Sequence, residues 1–129
     1  PSSAASDVYK RQTMDAQIAY AVNQINAHEG KISISHLMDE VNLCQRHFER
    51  KFKLHTGFTP QRYNSIVRFK NAIKILRNES FDNLLSVAVK AGYYDASHLS
   101  REIKKLSGST PNFFLSLPLD NETTIIYTK

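Results

Sequence analysis

Two structural devices of secreted and membrane proteins are missing from this sequence of 129 residues. Its single cysteine, Cys44, excludes an internal disulfide framework. No apolar run approaches the roughly 18 to 20 residues that span a bilayer. We therefore expect no membrane partner, and a reducing cytoplasm fits the sequence best.

Motifs typical of enzymes and metal sites are also missing. The chain has no CxxC or HExxH motif, no glycine-rich phosphate loop and no Ser/His/Asp set. Cys44 with His47, neighbours on a predicted helix, could supply a nucleophile, a methyl acceptor or half of a zinc site. A tetrahedral metal, however, needs four ligands, or three and a water. We predict no catalytic residue, no metal and no cofactor, and a buried or capping thiol explains Cys44 sufficiently.

The composition bounds the size and the context of the protein. With 41% apolar residues, four glycines and four prolines, the chain fits one compact unit or two small subdomains that share a helix. Its N-terminus has no initiator methionine and no basic-then-apolar signal pattern. We therefore expect a segment of a longer protein, with other domains absent.

Positive charge is concentrated in one part of the chain. The formal net charge is +5, and the isoelectric point is near 9.4. Between Cys44 and Arg77, nine lysines and arginines accompany one acid, Glu49, which gives a local balance of +8 in 34 residues. Such clustering favours a polyanion as partner. Charge alone is equally consistent with a solvated, lysine-rich surface.

Helical periodicity extends along most of the chain, because apolar residues recur every three or four positions. Capping residues and glycines place the boundaries of seven helices. The helix from Pro60 to about Arg77 is long enough to bridge two subdomains. The predicted helices begin at Met14, after Ser33, at Gln45, at Pro60, after Asp82, after Asp95 and at Pro111, and Gly30, Gly57, Gly92 and Gly108 end four of them.

The periodicity also predicts which residues face inward near the C-terminus. We expect the fifth helix to bury Leu84, Leu85, Val87 and Ala88, and the seventh to pack through Phe113, Phe114 and Leu115. From Pro118 onward the composition is of β type without a partner strand, which indicates an extended or frayed tail.

The chain resembles itself at an offset of 51 residues. The segment 57–60, Gly-Phe-Thr-Pro, recurs as Gly-Ser-Thr-Pro at 108–111, and it ends one helix and begins the next in both copies. The apolar and cationic positions upstream repeat as well. Phe48, Arg50, Phe52 and Lys53 return as Leu99, Arg101, Ile103 and Lys104.

Each half has a short helix, a turn and a longer amphipathic helix, which is the pattern of a helix-turn-helix. Placing the repeated apolar residues toward a core, at about 100° per residue, turns the opposite side outward. Two matching polar faces favour DNA, although each residue taken singly could be an ordinary surface position. The outward residues are Arg46, Arg50 and Lys53 in the first half and Ser97, Arg101 and Lys104 in the second.

Both faces carry side chains that suit a DNA major groove. Arg46 and Arg50 could each grip the O6/N7 edge of guanine, and Gln45 and Glu49 could read adenine or cytosine. The second set is Ser97, His98, Ser100 and Arg101. We expect phosphates to be held by Lys51, Lys53 and Lys104, and by the free amides of the helices that open after Thr59 and Thr110.

Two segments closely resemble the DNA-binding domain of AraC/XylS-type transcription regulators. The second half carries Ala91-Gly92-Tyr93-Tyr94-Asp95-Ala96-Ser97-His98-Leu99-Ser100-Arg101-Glu102-Ile103-Lys104, followed by Gly108-Ser109-Thr110-Pro111. In the first half, the matching residues are Leu43, Gln45, Arg46, Phe48, Phe52, Gly57, Thr59, Pro60, Tyr63, Arg68 and Ala72. The resemblance covers roughly residues 14 to 116.

The resemblance implies an all-α, seven-helix domain of two helix-turn-helix subdomains joined by a long linker helix. It implies binding to double-stranded DNA at promoters, with both recognition helices in neighbouring major-groove segments. We expect a flexible segment over 1–13, subdomains over 14–58 and 79–117, the linker helix over 59–78 and a tail over 118–129. An N-terminal effector or dimerisation domain and RNA polymerase are further expected partners.

The resemblance also bears on individual residues. By position it adds Ala96 to the base-facing residues of the second recognition helix. Cys44 stands where the family usually has a serine N-cap, and Leu99 and Ile103 stand where phenylalanine is typical. His98 has two open roles, contact with DNA or packing beside Tyr94, and Arg68 is expected to tether the subdomains.

One further class of function is consistent with the same surface. A basic helical module could bind an acidic protein, but such a module has no reason to repeat its charged face at matching angles. Selection among DNA sequences separates the two classes, since a specific site exceeds nonspecific DNA by about 4 to 10 kcal/mol.

Overall fold

The computed structural model of the chain describes residues 15–78 and 80–116. Every regular element in these ranges is an α-helix, which confirms the predicted fold class and the number of helices. The predictions for residues 1–13 and 118–129 lie outside the described residues. The helices are α1 (Ala16–Ala27), α2 (Ile34–Val41), α3 (Gln45–Thr56), α4 (Pro60–Asn78), α5 (Leu84–Ala91), α6 (Ala96–Ser107) and α7 (Pro111–Ser116).

Two hydrophobic clusters lie along α4. The first is built from α1, α2 and α3, and the N-terminal half of α4 covers it with Tyr63 and Val67. The second is built from the C-terminal half of α4 with α5, α6 and α7. Aromatic edge contacts join α4 to both, because Tyr63 meets Phe52 at 5.5 Å and Phe69 meets Phe114 at 6.3 Å between ring centroids.

The repeat of 51 residues extends further than the sequence comparison detected. α1 corresponds to the second half of α4, and the beginning of α4 corresponds to α7. We call residues 16–66 the first unit and residues 67–116 the second unit. The buried residues related by this offset are Ile18 and Phe69, Ala21 and Ala72, and Ile25 and Leu76.

At α2 and α5 the two units are related by an offset that differs by one residue, so a comparison at 51 residues does not detect it. The loop before α2 has six residues (28–33), and the loop before α5 has five (79–83). The turn after α2 has three residues (42–44), and the turn after α5 has four (92–95). The two differences cancel, so Leu37 and Val41 match Val87 and Ala91 at an offset of 50.

The predicted start of α5 was wrong by one residue. Asn83, and not Asp82, is the N-cap, because its side chain accepts a hydrogen bond of 2.9 Å from the amide of Ser86. In return, the Asn83 backbone amide donates a hydrogen bond of 3.5 Å to the Ser86 hydroxyl, which completes a capping box. The successive residues Asp82 and Asn83 are both good caps, and the register of the helix selects Asn83.

Three predicted inward residues are exposed instead. Leu85 is 51% exposed on α5, and Phe113 and Leu115 are 47% and 43% exposed on α7. Each of these helices has fewer than nine residues and packs on the core through one side only. The apolar residues on its other side therefore stay exposed. The α1 helix also ends earlier than expected, at Ala27, with Gly30 two residues beyond its C-cap His28.

Gly30 allows the loop after α1 to lie directly on the backbone of α4. Its φ of +77° is in the left-handed region, and a Cβ there would lie 2.3 Å from the Arg68 amide nitrogen and 2.5 Å from the Asn64 carbonyl oxygen. The Asn64 side chain donates a hydrogen bond of 3.2 Å to the Ile32 carbonyl. The loop is thus fixed to the middle of α4.

We expect Gly30→Ala to lower the free energy of unfolding by about 2 to 5 kcal/mol, from the left-handed backbone and from the overlap with α4. Gly57→Ala is the matched control, since its φ is +86° but no described atom lies within 4 Å of the added Cβ. The control should lose only about 1 to 2 kcal/mol. Urea unfolding monitored by circular dichroism measures both, and equal losses would contradict the close approach at Gly30.

Candidate nucleic-acid interface

The orientation predicted for α3 is confirmed. Phe48 and Phe52 are fully buried, so the opposite side of the helix faces solvent. Arg46, Arg50 and Lys53 are all exposed there. Gly57 ends the helix with φ +86°, and its amide bonds the Lys53 carbonyl at 2.8 Å.

Two of the expected base-reading residues of α3 contact each other. The Gln45 side-chain amide donates to a carboxylate oxygen of Glu49 at 3.2 Å, one helical turn apart. Gln45 is exposed and Glu49 is half-buried. This bond leaves the Gln45 carbonyl oxygen and the second Glu49 oxygen as acceptors at the start of the helix.

Lys51, which we expected to hold a phosphate, is bound within the protein. Its ammonium lies 2.9 Å from the Asp15 carboxylate and 3.2 Å from the Gln17 side-chain oxygen. The hydrogen bond from Lys51 lowers the pKa of Asp15 from its ordinary value of 3.8. The pairing therefore stabilises the fold above that value and is lost as the pH falls through the lowered pKa. A phosphate at Lys51 would have to compete with Asp15.

The α6 helix is oriented in the same way as α3, as predicted. Leu99 and Ile103 are fully buried, and Arg101 and Lys104 are exposed opposite them. Asp95 caps the helix as predicted, since its carboxylate accepts a hydrogen bond of 2.8 Å from the His98 amide. A shallow concavity at the start of this helix is lined by Ala96, Ser97, Ser100 and Arg101.

His98 packs into the turn between α5 and α6. Its Nδ1 accepts a hydrogen bond of 3.3 Å from the Tyr94 amide, and its ring stands at 90° to that of Tyr93 with centroids 5.1 Å apart. His98 thus makes the packing contacts that were one of its two open roles, with the Tyr93 ring and the Tyr94 backbone, and its contact with DNA stays a prediction. Tyr94 itself is 87% exposed.

Arg68 joins α4 to the second recognition helix within the second unit, so its expected role as a tether between the subdomains stays a prediction. Its guanidinium lies 3.4 Å from the Glu102 carboxylate of α6, and it lies over the Tyr93 ring at 5.3 Å. Both charged side chains are largely covered, with 20% and 14% of their surface exposed. Burial, with the Glu102 carboxylate nearby, raises the pKa of the Tyr93 hydroxyl. These contacts therefore fix α6 against α4.

Hydroxyl groups repeat at the ends of both recognition helices, which the sequence comparison missed. The Thr56 hydroxyl donates to the Phe52 carbonyl at 2.8 Å and accepts from the Phe58 amide at 3.1 Å. Ser107, 51 residues later, bonds the Ile103 carbonyl at 2.6 Å and accepts from the Ser109 amide at 3.1 Å. Thr and Ser interchange there because only the hydroxyl is needed, so comparison of residue types does not find the pair.

The two threonines before the prolines differ in their surroundings. Thr59 is half-buried, and its hydroxyl accepts a hydrogen bond of 3.2 Å from the Arg62 amide, as an N-cap of α4 should. Thr110 is exposed before the six-residue helix α7. The capping role predicted for Thr59 is confirmed.

Within residues 15–78 and 80–116, no three His, Cys, Asp or Glu side chains lie together as a metal site would require. In the same ranges, no helix combines the length and the apolar character needed to cross a membrane.

Each unit contains a helix-turn-helix, α2 with α3 in the first and α5 with α6 in the second. The second helix of each motif exposes its polar face. The two motifs together define a double helix-turn-helix domain. The family model of the helix-turn-helix domain matches residues 37–116. The chain belongs to the AraC/XylS-type helix-turn-helix family. It is therefore a sequence-specific DNA-binding domain of transcription regulation.

Known proteins resemble the chain in sequence and in fold. The transcriptional activator RhaS of Pectobacterium atrosepticum is 29% identical over 102 residues, covering 79% of this chain and 35% of RhaS. The chain thus spans about a third of the length of the curated relatives it matches. The C-terminal domain of AraT, a response regulator from Geobacillus stearothermophilus, superposes with a TM-score of 0.75 at 18% identity, over 86% of this chain and 93% of that one.

A third similar protein was solved together with DNA. The DNA-binding domain of AdpA, a global transcriptional factor in complex with a target DNA, has a TM-score of 0.71 at 20% identity, over 79% of this chain and 92% of that chain. At this identity the likeness shows the fold that the two share.

Cys44 leaves the start of α3 without a side-chain cap. It is the exposed N-cap residue, and it makes no cap hydrogen bond to the described residues of the first turn, so the expectation of a buried or capping thiol was wrong. We expect Cys44→Ser to supply a hydroxyl acceptor for the His47 amide, the bond that Asp95 makes to His98 in α6. The variant should exceed Cys44→Ala by about 0.5 to 2 kcal/mol in the free energy of unfolding. Urea titrations of both variants without DNA measure this, and equal midpoints would contradict it.

Proposed function

We propose that this domain binds double-stranded DNA by placing the N-terminal halves of α3 and α6 in neighbouring major-groove segments. One observation carries the proposal: two helices of 12 residues, 51 residues apart, bury one face and expose cations at matching positions. These cations are Arg50 with Arg101 and Lys53 with Lys104. A protein that used only one face would gain nothing from the second.

The exposed side chains divide into base readers and phosphate holders. In the first unit, Arg46 and Arg50 suit guanine, and the bonded pair Gln45 and Glu49 presents acceptors to the amino group of cytosine or adenine. In the second unit the proposed readers are Ala96, Ser97, His98, Ser100 and Arg101, and His98 also supports the turn before them. Ala96 suits the methyl group of thymine.

Phosphate contacts come from the far ends of the same helices. Lys53 and Lys104 are exposed in the last turns of α3 and α6. The first turns of α4 and α7, after Thr59 and Thr110, offer free amides toward a neighbouring phosphate. Lys51 joins this set only if DNA draws it away from Asp15.

The proposal extends to the protein of which this domain is a part. Because the chain spans 35% of RhaS, we propose that a separate effector or dimerisation domain accompanies it on the N-terminal side. RNA polymerase is the further proposed partner, and the cytoplasm the proposed location. We also propose the division into subdomains over 14–58 and 79–117 with a linker helix over 59–78. It is supported by α4, which contributes to both hydrophobic clusters. We assign the domain no catalytic role.

Replacing one base reader and one phosphate holder on α3 tests the assignment of roles. Arg50→Ala should relax the preference at one base position and cost about 1 to 3 kcal/mol, because a bidentate contact to guanine is lost. Lys53→Ala should weaken binding to all sequences alike and reduce the slope of log K against log salt by about 1. Selection from a random DNA pool, followed by salt titration on the enriched site, measures both.

The wild-type selection is the control for the function itself. An enriched motif with two separated parts supports the proposal, and Arg101→Ala should then relax only the second part. Enrichment of no sequence would point instead to a basic module for acidic proteins. Uniform weakening by both Arg50→Ala and Lys53→Ala would overturn the division of roles while leaving DNA binding intact.

A further inference from the structure

Lys31 of the first unit reaches across to the second unit. Its ammonium donates a hydrogen bond of 3.3 Å to the Lys90 carbonyl, in the last turn of α5. Its aliphatic stem lies against Gly92, where a Cβ would come within 2.5 Å of the Lys31 Cγ and 2.8 Å of its Cδ. Gly92, with φ +96°, both ends α5 and leaves room for this side chain.

The chemistry of this contact favours a cation. The last carbonyls of a helix lack intrahelical partners and carry the negative end of the helix dipole. A lysine ammonium both donates to such a carbonyl and complements the dipole. Glu29 lies 3.5 Å from the same ammonium, on the side of the first unit. Lys31 thus connects its own loop to the end of α5.

The matching helix in the first unit is capped in a different way. The Gln17 side chain of α1 donates a hydrogen bond of 2.7 Å to the Val41 carbonyl at the end of α2. Gln17 corresponds to Arg68 at the offset of 51, but Arg68 is engaged with Glu102 and Tyr93. The second unit therefore receives its cap from the other unit.

The loop that carries Lys31 is itself held rigidly. Gly30 lies on the backbone of α4 at Asn64 and Arg68, and Asn64 bonds the Ile32 carbonyl at 3.2 Å. Lys31 projects from between these two fixed points toward the turn that precedes α6. Its bond therefore constrains the position of the second unit relative to the first.

We propose that Lys31 is a positioning residue: together with the continuous helix α4, it holds the two units at the angle and separation at which both recognition helices meet DNA. This inference rests on the proposed function. One added base pair between two half-sites moves the second by about 3.4 Å and rotates it by about 35° about the duplex axis. A domain with a fixed angle between its units rejects that change, and a loosened domain tolerates it.

The test measures the affinity for the selected site and for the same site with one base pair inserted between its two parts. Lys31→Met keeps an aliphatic stem against Gly92 but removes the ammonium. We expect the penalty for the insertion to fall about two- to fivefold, the size of a surface cation's effect at a helix C-terminus. The base preferences within each part should be unchanged.

Two control variants separate positioning from charge and from folding. Lys74→Met removes one positive charge from an exposed position on α4, and it should weaken both sites equally with the penalty unchanged. Lys31→Arg keeps a cation at the end of α5, and it should restore most of the wild-type penalty.

The outcomes distinguish this inference from the function on which it rests. If Lys31→Met binds a two-part site with the wild-type penalty, or if Lys74→Met lowers the penalty as much, positioning by Lys31 is wrong and the proposed function stands. If the wild-type domain selects no two-part site, the proposed function fails and this inference fails with it.

Discussion

The continuity of one helix, α4, determines where both DNA-facing helices lie. Its first half closes the first hydrophobic cluster through Tyr63, and its second half forms the wall of the second cluster through Phe69 and Ala72. The backbone hydrogen bonds of α4 make these two halves one rigid body. In the terms of the repeat, the last helix of the first unit and the first helix of the second are fused without a break.

Equivalent positions in the two units do not carry equivalent charges, and this difference shows how each recognition helix is secured. Lys51 of α3 pairs with Asp15 at the start of α1, whereas its counterpart Glu102 of α6 pairs with Arg68 in α4. In both units this position joins the recognition helix to the first helix of the unit. The sign of the charge is free to reverse because only the pairing matters, so a cation at this position is not evidence of DNA contact.

Local rules predicted much of the fold from sequence, and long-range contacts account for most of what was missed. Thr59, Asp95 and Gly57 act within one turn of their own position, so their capping roles were readable. The pairing of Lys51 depends on a residue 36 positions away, and the exposure of Leu85 depends on which neighbours cover α5. The one-residue shift concealed the relation between α2 and α5, because two compensating length changes cannot be seen at a single offset. Which faces point outward was predictable from helical periodicity, and what they contact remains a proposal.

The continuity of α4 also limits where the domain can gain or lose residues during evolution. Its two units already differ by one residue in the loops at 28–33 and 79–83 and in the turns at 42–44 and 92–95, so those segments absorb insertions and deletions. A single residue gained within α4 would instead turn one unit about 100° relative to the other and displace it by about 1.5 Å. Descendants should therefore vary in the length of their loops while the length of α4 stays constant.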